Sequence, residues 1–154
     1  MRKLLLTAAI IALAGMAQAN PRVSEKTKYY KINGDSVKAL KADMRKRGPN
    51  GFWAYTRWYV KWTGSCKVTV TVDYTMPKLA NPNAVPKEVK AKFDRMYAKL
   101  WAHEKNHGQH GIDAGREIAK KKCQGGDGII KKHAKRDKVY DKKTKHGLTE
   151  GVKF

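Results

Sequence analysis

The chain has 154 residues, with 34 lysines and arginines against 13 aspartates and glutamates, a formal net charge of +21. That length accommodates one domain with a real core. Past the N-terminal segment there is no apolar run fit to cross a bilayer, no internal repeat and no glycine-rich phosphate loop.

The N-terminus reads as a leader. Arg2 and Lys3 precede an apolar run from Leu4 to Ala14, and small residues end in Ala17-Gln18-Ala19. This is the order of a cleaved signal peptide, and the run is short for a membrane span. Residues 1–19 are therefore expected to be removed, leaving a single domain over 20–154 in the periplasm or outside the cell. Loss of Arg2 and Lys3 leaves 32 basic residues against 13 acidic ones, a net charge near +19. Such a field draws polyanions: nucleic acid, wall or lipid phosphates, acidic proteins. A solvated, solubilising face accounts for the same composition. In an oxidising compartment Cys66 and Cys123 are expected to form a disulfide. A cysteine-ligated zinc is disfavoured, because two lone cysteines lack the paired spacing of such sites.

Asn20 to Lys26 is polar and reads as loose. Lys28–Ile32 predicts a short strand, stopped by Asn33-Gly34. Asp35 or Ser36 can cap a helix whose Val37, Leu40 and Met44 share one face, ended by Gly48-Pro49. An aromatic-rich strand is expected from Phe52 to Trp62. Thr63-Gly64-Ser65 makes a hairpin connection. A second strand follows from Cys66 to Met76, with Cys66, Val68, Val70, Val72 and Tyr74 on one side. Met76 to Pro86 reads as a loop.

From Lys87 the period becomes helical. Val89, Phe93, Met96, Leu100, His103, His107, His110, Ala114 and Ile118 form one stripe at intervals of three and four. Gly108, Gly111 and Gly115 weaken helix propensity and allow a break after His107. Ile129, Ile130 and Ala134 suggest a short, very basic helix, and the remaining tail shows little periodicity. The expected architecture is α+β: an antiparallel sheet with a hairpin, packed on the long motif helix and flanked by short helices.

Within the stripe lies His103-Glu104-Lys105-Asn106-His107. Residues i and i+4 share a helix face, so two imidazoles can grip one metal while Glu104 acts on a metal-bound water. This is the His-Glu-x-x-His arrangement of zinc peptidases. Histidines buried without partners are costly, and ligation removes that cost. Such a site needs a third protein ligand. His110 and Glu117 lie too far along the axis. Asp113 suits only a helix that ends after His107. His146, in a flexible segment that can fold back, is the first choice and Asp113 the second. Tyr140 or His110 can serve as oxyanion partner, and Asp141 can orient a ligand histidine from behind.

Two motifs, Trp101 to His107 and Tyr140-Asp141-x-x-Thr144-x-His146-Gly147 with Gly151, carry a resemblance. So do Tyr30 to Gly34, the aromatic strand and Pro77. The chain resembles a bacterial family of small exported proteins described as predicted secreted zinc-dependent proteases, otherwise a domain of unknown function. The resemblance implies a metallopeptidase-like site with His103, Glu104 and His107 from the helix motif and His146 from the terminal one. The expected cofactor is zinc and the expected substrate a peptide or protein. Two other readings compete: a non-enzymatic basic polyanion-binding protein with a structural zinc, and an exported zinc scavenger.

Overall fold

The computed structural model describes residues 20–154, so the expected leader lies outside the described residues. Three strands form one sheet in the order β1-β3-β2. Central β3 (Val68–Leu79) supplies most of its core face. Val68, Val70, Val72, Tyr74 and Met76 are all buried, as the period of two demands. Antiparallel β2 (Tyr55–Trp62) is joined to it by the expected hairpin, with Val60 opposite Val70 and Tyr55 opposite Thr75.

β1 corrects two expectations. It runs from Arg22 to Ile32, so Arg22–Lys26 is strand rather than loose chain. It pairs parallel with β3 along its whole length, from Arg22 opposite Thr69 to Ile32 opposite Leu79, which makes the α+β sheet mixed rather than antiparallel. Most of β1 is exposed, so it lacks the alternation that marks a half-buried strand. The connection through α1 (Val37–Arg47) carries the chain past the β3 position to β2, and the hairpin then reverses it, so β3 lies between the two and runs parallel to β1. The Ser36 hydroxyl caps α1 by accepting the Ala39 N–H at 3.2 Å, and Leu40 and Met44 are buried beneath it.

Two strand ends also move. Phe52 to Ala54 precede β2 instead of opening it. β3 continues through Pro77 to Leu79, where a loop was expected. β2 has ended by Thr75, so Pro77 occupies a stretch paired only with β1, the edge setting in which a missing N–H is tolerated.

α2 (Lys87–Lys120) is unbroken over 34 residues. The glycines that suggested a break have another use. A Cβ at Gly108 would strike Tyr74, at Gly111 the Trp58 side chain, and at Gly115 a Val70 methyl. Spaced three and four, they let the helix lie directly on the sheet. Their weak propensity, about 1 kcal/mol each, is accepted in exchange for that close approach.

α3 (Gly126–Thr144) is a full helix of 19 residues rather than a short one. Ile129, His133, Asp137, Tyr140 and Thr144 fall at helical spacing and are buried or half-buried. Because this inner stripe is polar, apolar periodicity does not reveal it. The Cys66–Cys123 disulfide is present, 57 residues apart in sequence. Cys66 belongs to the turn before β3, with φ 57, rather than to the strand. Among the described residues no helix is long and apolar enough to cross a membrane.

Candidate metal centre

Two turns of α2 carry the motif into the interior. His103, Glu104 and His107 are all buried, and α3 packs across them. The two Nε2 atoms lie 3.2 Å apart. Oδ1 of Asp141, from α3, completes a triangle at 3.1 Å from His107 Nε2 and 3.3 Å from His103 Nε2. A tetrahedral ion with bonds of 2.0–2.1 Å has ligand-to-ligand edges of about 3.3 Å, so these three atoms fit one of its faces.

The other side of each ring explains why Nε2 faces inward. His103 Nδ1 donates to Glu150 Oε2 at 2.8 Å. His107 Nδ1 donates to Asp137 Oδ1 at 2.7 Å. Each carboxylate fixes the tautomer with the proton on Nδ1. Two imidazole lone pairs and a carboxylate oxygen then converge on one point. All three are acceptors, an arrangement that a cation at their focus stabilises.

Both carboxylates are themselves supported. Asp137 also accepts from His110 Nδ1 at 2.6 Å and, through Oδ2, from Trp58 Nε1 at 3.0 Å. Burial would raise the Asp137 carboxyl, but the bonds from His107, His110 and Trp58 hold it below the usual range. Burial would likewise lower His107, yet Asp137, Asp141 and Glu104 outweigh it and raise the imidazole. Glu150 accepts from the Tyr140 hydroxyl at 2.7 Å, and that hydroxyl in turn accepts from Asn106 Nδ2 at 2.8 Å. The Tyr140 ring stacks on His103 at 5.0 Å.

Glu104 has a different setting. Its Oε2 accepts from the Thr56 hydroxyl of β2 at 2.6 Å. Burial pushes its carboxyl above the usual range, against the lowering effect of Thr56 and the two histidines. Beside it opens a cleft of about 830 Å³, whose walls include Glu104, His103, His107, Asp141, Phe52 and Trp58. Edge strand β2 forms one side and α3 the other.

The structure thus brings His103, Glu104 and His107 together as expected, and adds Asp141 to them directly. His146 is not one of the three: its largely exposed ring lies beside Phe52, with Nδ1 3.4 Å from the same Asp141 Oδ1. His110 supports Asp137, in line with a supporting place. Tyr140 points its hydroxyl at Glu150, on the Nδ1 side of His103. Asp113 is turned away, paired with Gln109 and Arg116, because α2 does not end after His107.

Sequence reasoning missed Asp137, Glu150, Thr56 and Trp58. Asp137 had a signal: it stands one turn before Asp141 among lysines, so both acids share a face of α3. Glu150 had none, since it lies in a short turn (Leu148–Glu150) after α3.

The chain matches, over residues 27–147, the family described as a bacterial protein of unknown function (DUF922). No curated protein and no solved structure matches it.

Proposed function

We propose that this chain, which belongs to the DUF922 family of bacterial proteins, is an exported metal-dependent hydrolase of peptide or amide bonds. The observation that carries this is the triangle of His103 Nε2, His107 Nε2 and Asp141 Oδ1, with both Nδ1 atoms pinned by carboxylates. Zinc suits such a set, although imidazole and carboxylate ligands also take other divalent metals. Export agrees with the leader pattern and with the Cys66–Cys123 disulfide.

His103, His107 and Asp141 would hold the ion. A divalent metal bound there would supply Lewis acidity, acidifying a water towards neutrality and polarising a carbonyl. Glu104 is the general base: its raised pKa brings it closer to the working pH, and Thr56 orients it. It takes the water's proton and returns it to the leaving nitrogen. His146, exposed beside Asp141, is the group best placed to meet charge developing on the carbonyl oxygen. Tyr140 is committed to Glu150 and acts as a support for His103.

One observation favours a closed structural zinc in a polyanion-binding protein: His146 stands near enough to Asp141 to become a fourth ligand. The cleft beside Glu104 favours catalysis instead. Glu104→Gln separates the two. Hydrolysis of a peptide mixture should fall by about 100-fold or more while one equivalent of metal is retained; full activity in the variant would defeat the hydrolase reading.

A further inference from the structure

The walls of the cleft carry a charge pattern that hydrolysis alone does not require. Arg45 of α1, Arg57 of β2, and Lys138 and Lys145 at the end of α3 all line it. Among the described residues none of the four is in an ion pair, whereas Arg47, Lys90, Lys105, Arg116 and Lys132 each have a carboxylate. The three acids lining the cleft are otherwise engaged. Asp137 holds His107 and His110, Asp141 faces the two metal-facing imidazoles, and Glu104 is bonded to Thr56. Arg57 lies over the Tyr55 ring, on the face of β2 opposite Thr56 and Trp58, so the free positive charge beside the reacting centre comes from α1 and α3. Lys131, Lys135, Lys138 and Lys142, at intervals of four, three and four, extend it along one exposed face of α3.

We infer that the substrate is an acidic polypeptide segment, with side-chain carboxylates on both sides of the scissile bond. This rests on the hydrolase reading above. Unpaired, exposed lysine and arginine along the cleft favour carboxylate side chains and repel cationic ones. A polypeptide fits better than a nucleic acid or a sulfated glycan. β2 is an edge strand whose outer backbone row has no partner strand among the described residues, and an extended peptide can pair with it along this cleft while its side chains alternate between walls. The aromatic and aliphatic lining, Phe52, Trp53, Leu100 and Ile130 among it, covers the apolar part of such a chain.

The test uses full-length mature protein carrying Glu104→Gln and loaded with zinc, so that binding is read without turnover. Three fluorescein-labelled peptides of equal length would be compared by anisotropy, differing only in Glu, Gln or Lys at the flanking positions. The Glu peptide should bind about tenfold tighter than the Gln peptide, with the Lys peptide weakest, and the preference should shrink with added salt. K138E/K145E in the same background should erase or invert the order while metal content is unchanged. Equal binding of the Glu and Gln peptides, or an order indifferent to K138E/K145E, overturns the inference. So does a single-stranded oligonucleotide of equal charge that binds tighter than the Glu peptide and displaces it. Wild-type protein run in parallel keeps the two readings apart. Cleavage of all three peptides alike removes the acidic preference and leaves the hydrolase; ordered binding with no cleavage removes the hydrolase and leaves the acidic preference.

Discussion

Asp137 Oδ1 sits 2.7 Å from His107 Nδ1, thirty residues along the chain, and holds the ring with Nε2 facing Asp141. Glu150 does the same for His103 at 2.8 Å. Neither carboxylate touches the inward-facing Nε2 atoms, yet together they decide the tautomer and direction of both rings. The site is thus built from the outside inwards, with α3 and the turn after it acting as the clamp.

The clamp predicts the behaviour of two conservative variants. Asp137→Asn and Glu150→Gln should each weaken zinc affinity by about 10–100-fold without removing a ligand. Competition against a chromophoric chelator measures this. Affinity unchanged in both variants would mean that the rings hold their orientation without the carboxylates.

His146 is separated from the ligand set by one substitution. His146→Ala should keep a full equivalent of zinc and lose hydrolysis, because three donors converge without it and its own side chain is largely exposed. Loss of zinc in that variant would move His146 into the ligand set and favour the closed structural site.

Two glutamates of α2 predict opposite pH behaviour. Glu117 is lowered to about 2 by hydrogen bonds from Lys132 and His133. A lowered carboxyl stabilises the fold above its unfolded value of 4.5, and that stability is lost as pH falls from there to about 2. Glu117→Gln should therefore be less stable than wild type at neutral pH and equal to it in strong acid. Glu104 is raised, chiefly by burial, so its charge costs stability at pH above its folded pKa. That cost vanishes below 4.5, where both states hold the proton. In metal-free protein, Glu104→Gln should be the more stable at neutral pH and converge with wild type on acidification. Denaturant unfolding across pH gives both curves, and a reversed sign in either removes the corresponding contact from the account.

Glycines on two helices separate propensity from packing. Gly115→Ala improves helix propensity by about 1 kcal/mol but drives a methyl into Val70, where overpacking costs about 1–3 kcal/mol or more against a rigid sheet. It should lower stability. Gly128, in the first turn of α3, has nothing within 4 Å of an added Cβ, so Gly128→Ala should raise stability by about 0.5–1 kcal/mol. Thermal midpoints moving in the same direction for both would contradict the close approach of α2 to the sheet.

The contrast shows what the sequence made legible. β3, the hairpin and the α2 stripe follow from apolar period, and His103, Glu104 and His107 from their spacing. The disulfide followed from compartment and count; by chain entropy, closing a loop of 57 residues contributes about 4 kcal/mol. The misses have physical reasons. β1 is an exposed edge whose partner lies across a crossover, so local pattern did not disclose its length or direction. α3 buries His133, Asp137, Tyr140 and Thr144, polar groups that hydrophobic periodicity does not register. Gly108, Gly111 and Gly115 are breakers by propensity alone, and only the sheet beneath them reveals their use. Glu150 reaches His103 only through tertiary folding of the chain's end.

Whether His103, His107 and Asp141 hold a metal is read from metal content per chain, measured by mass spectrometry after zinc loading and dialysis of wild type, His107→Ala and Asp141→Ala. One equivalent in the wild type and none in either variant is the predicted result. A wild type without zinc, or a full equivalent retained in His107→Ala, would contradict it.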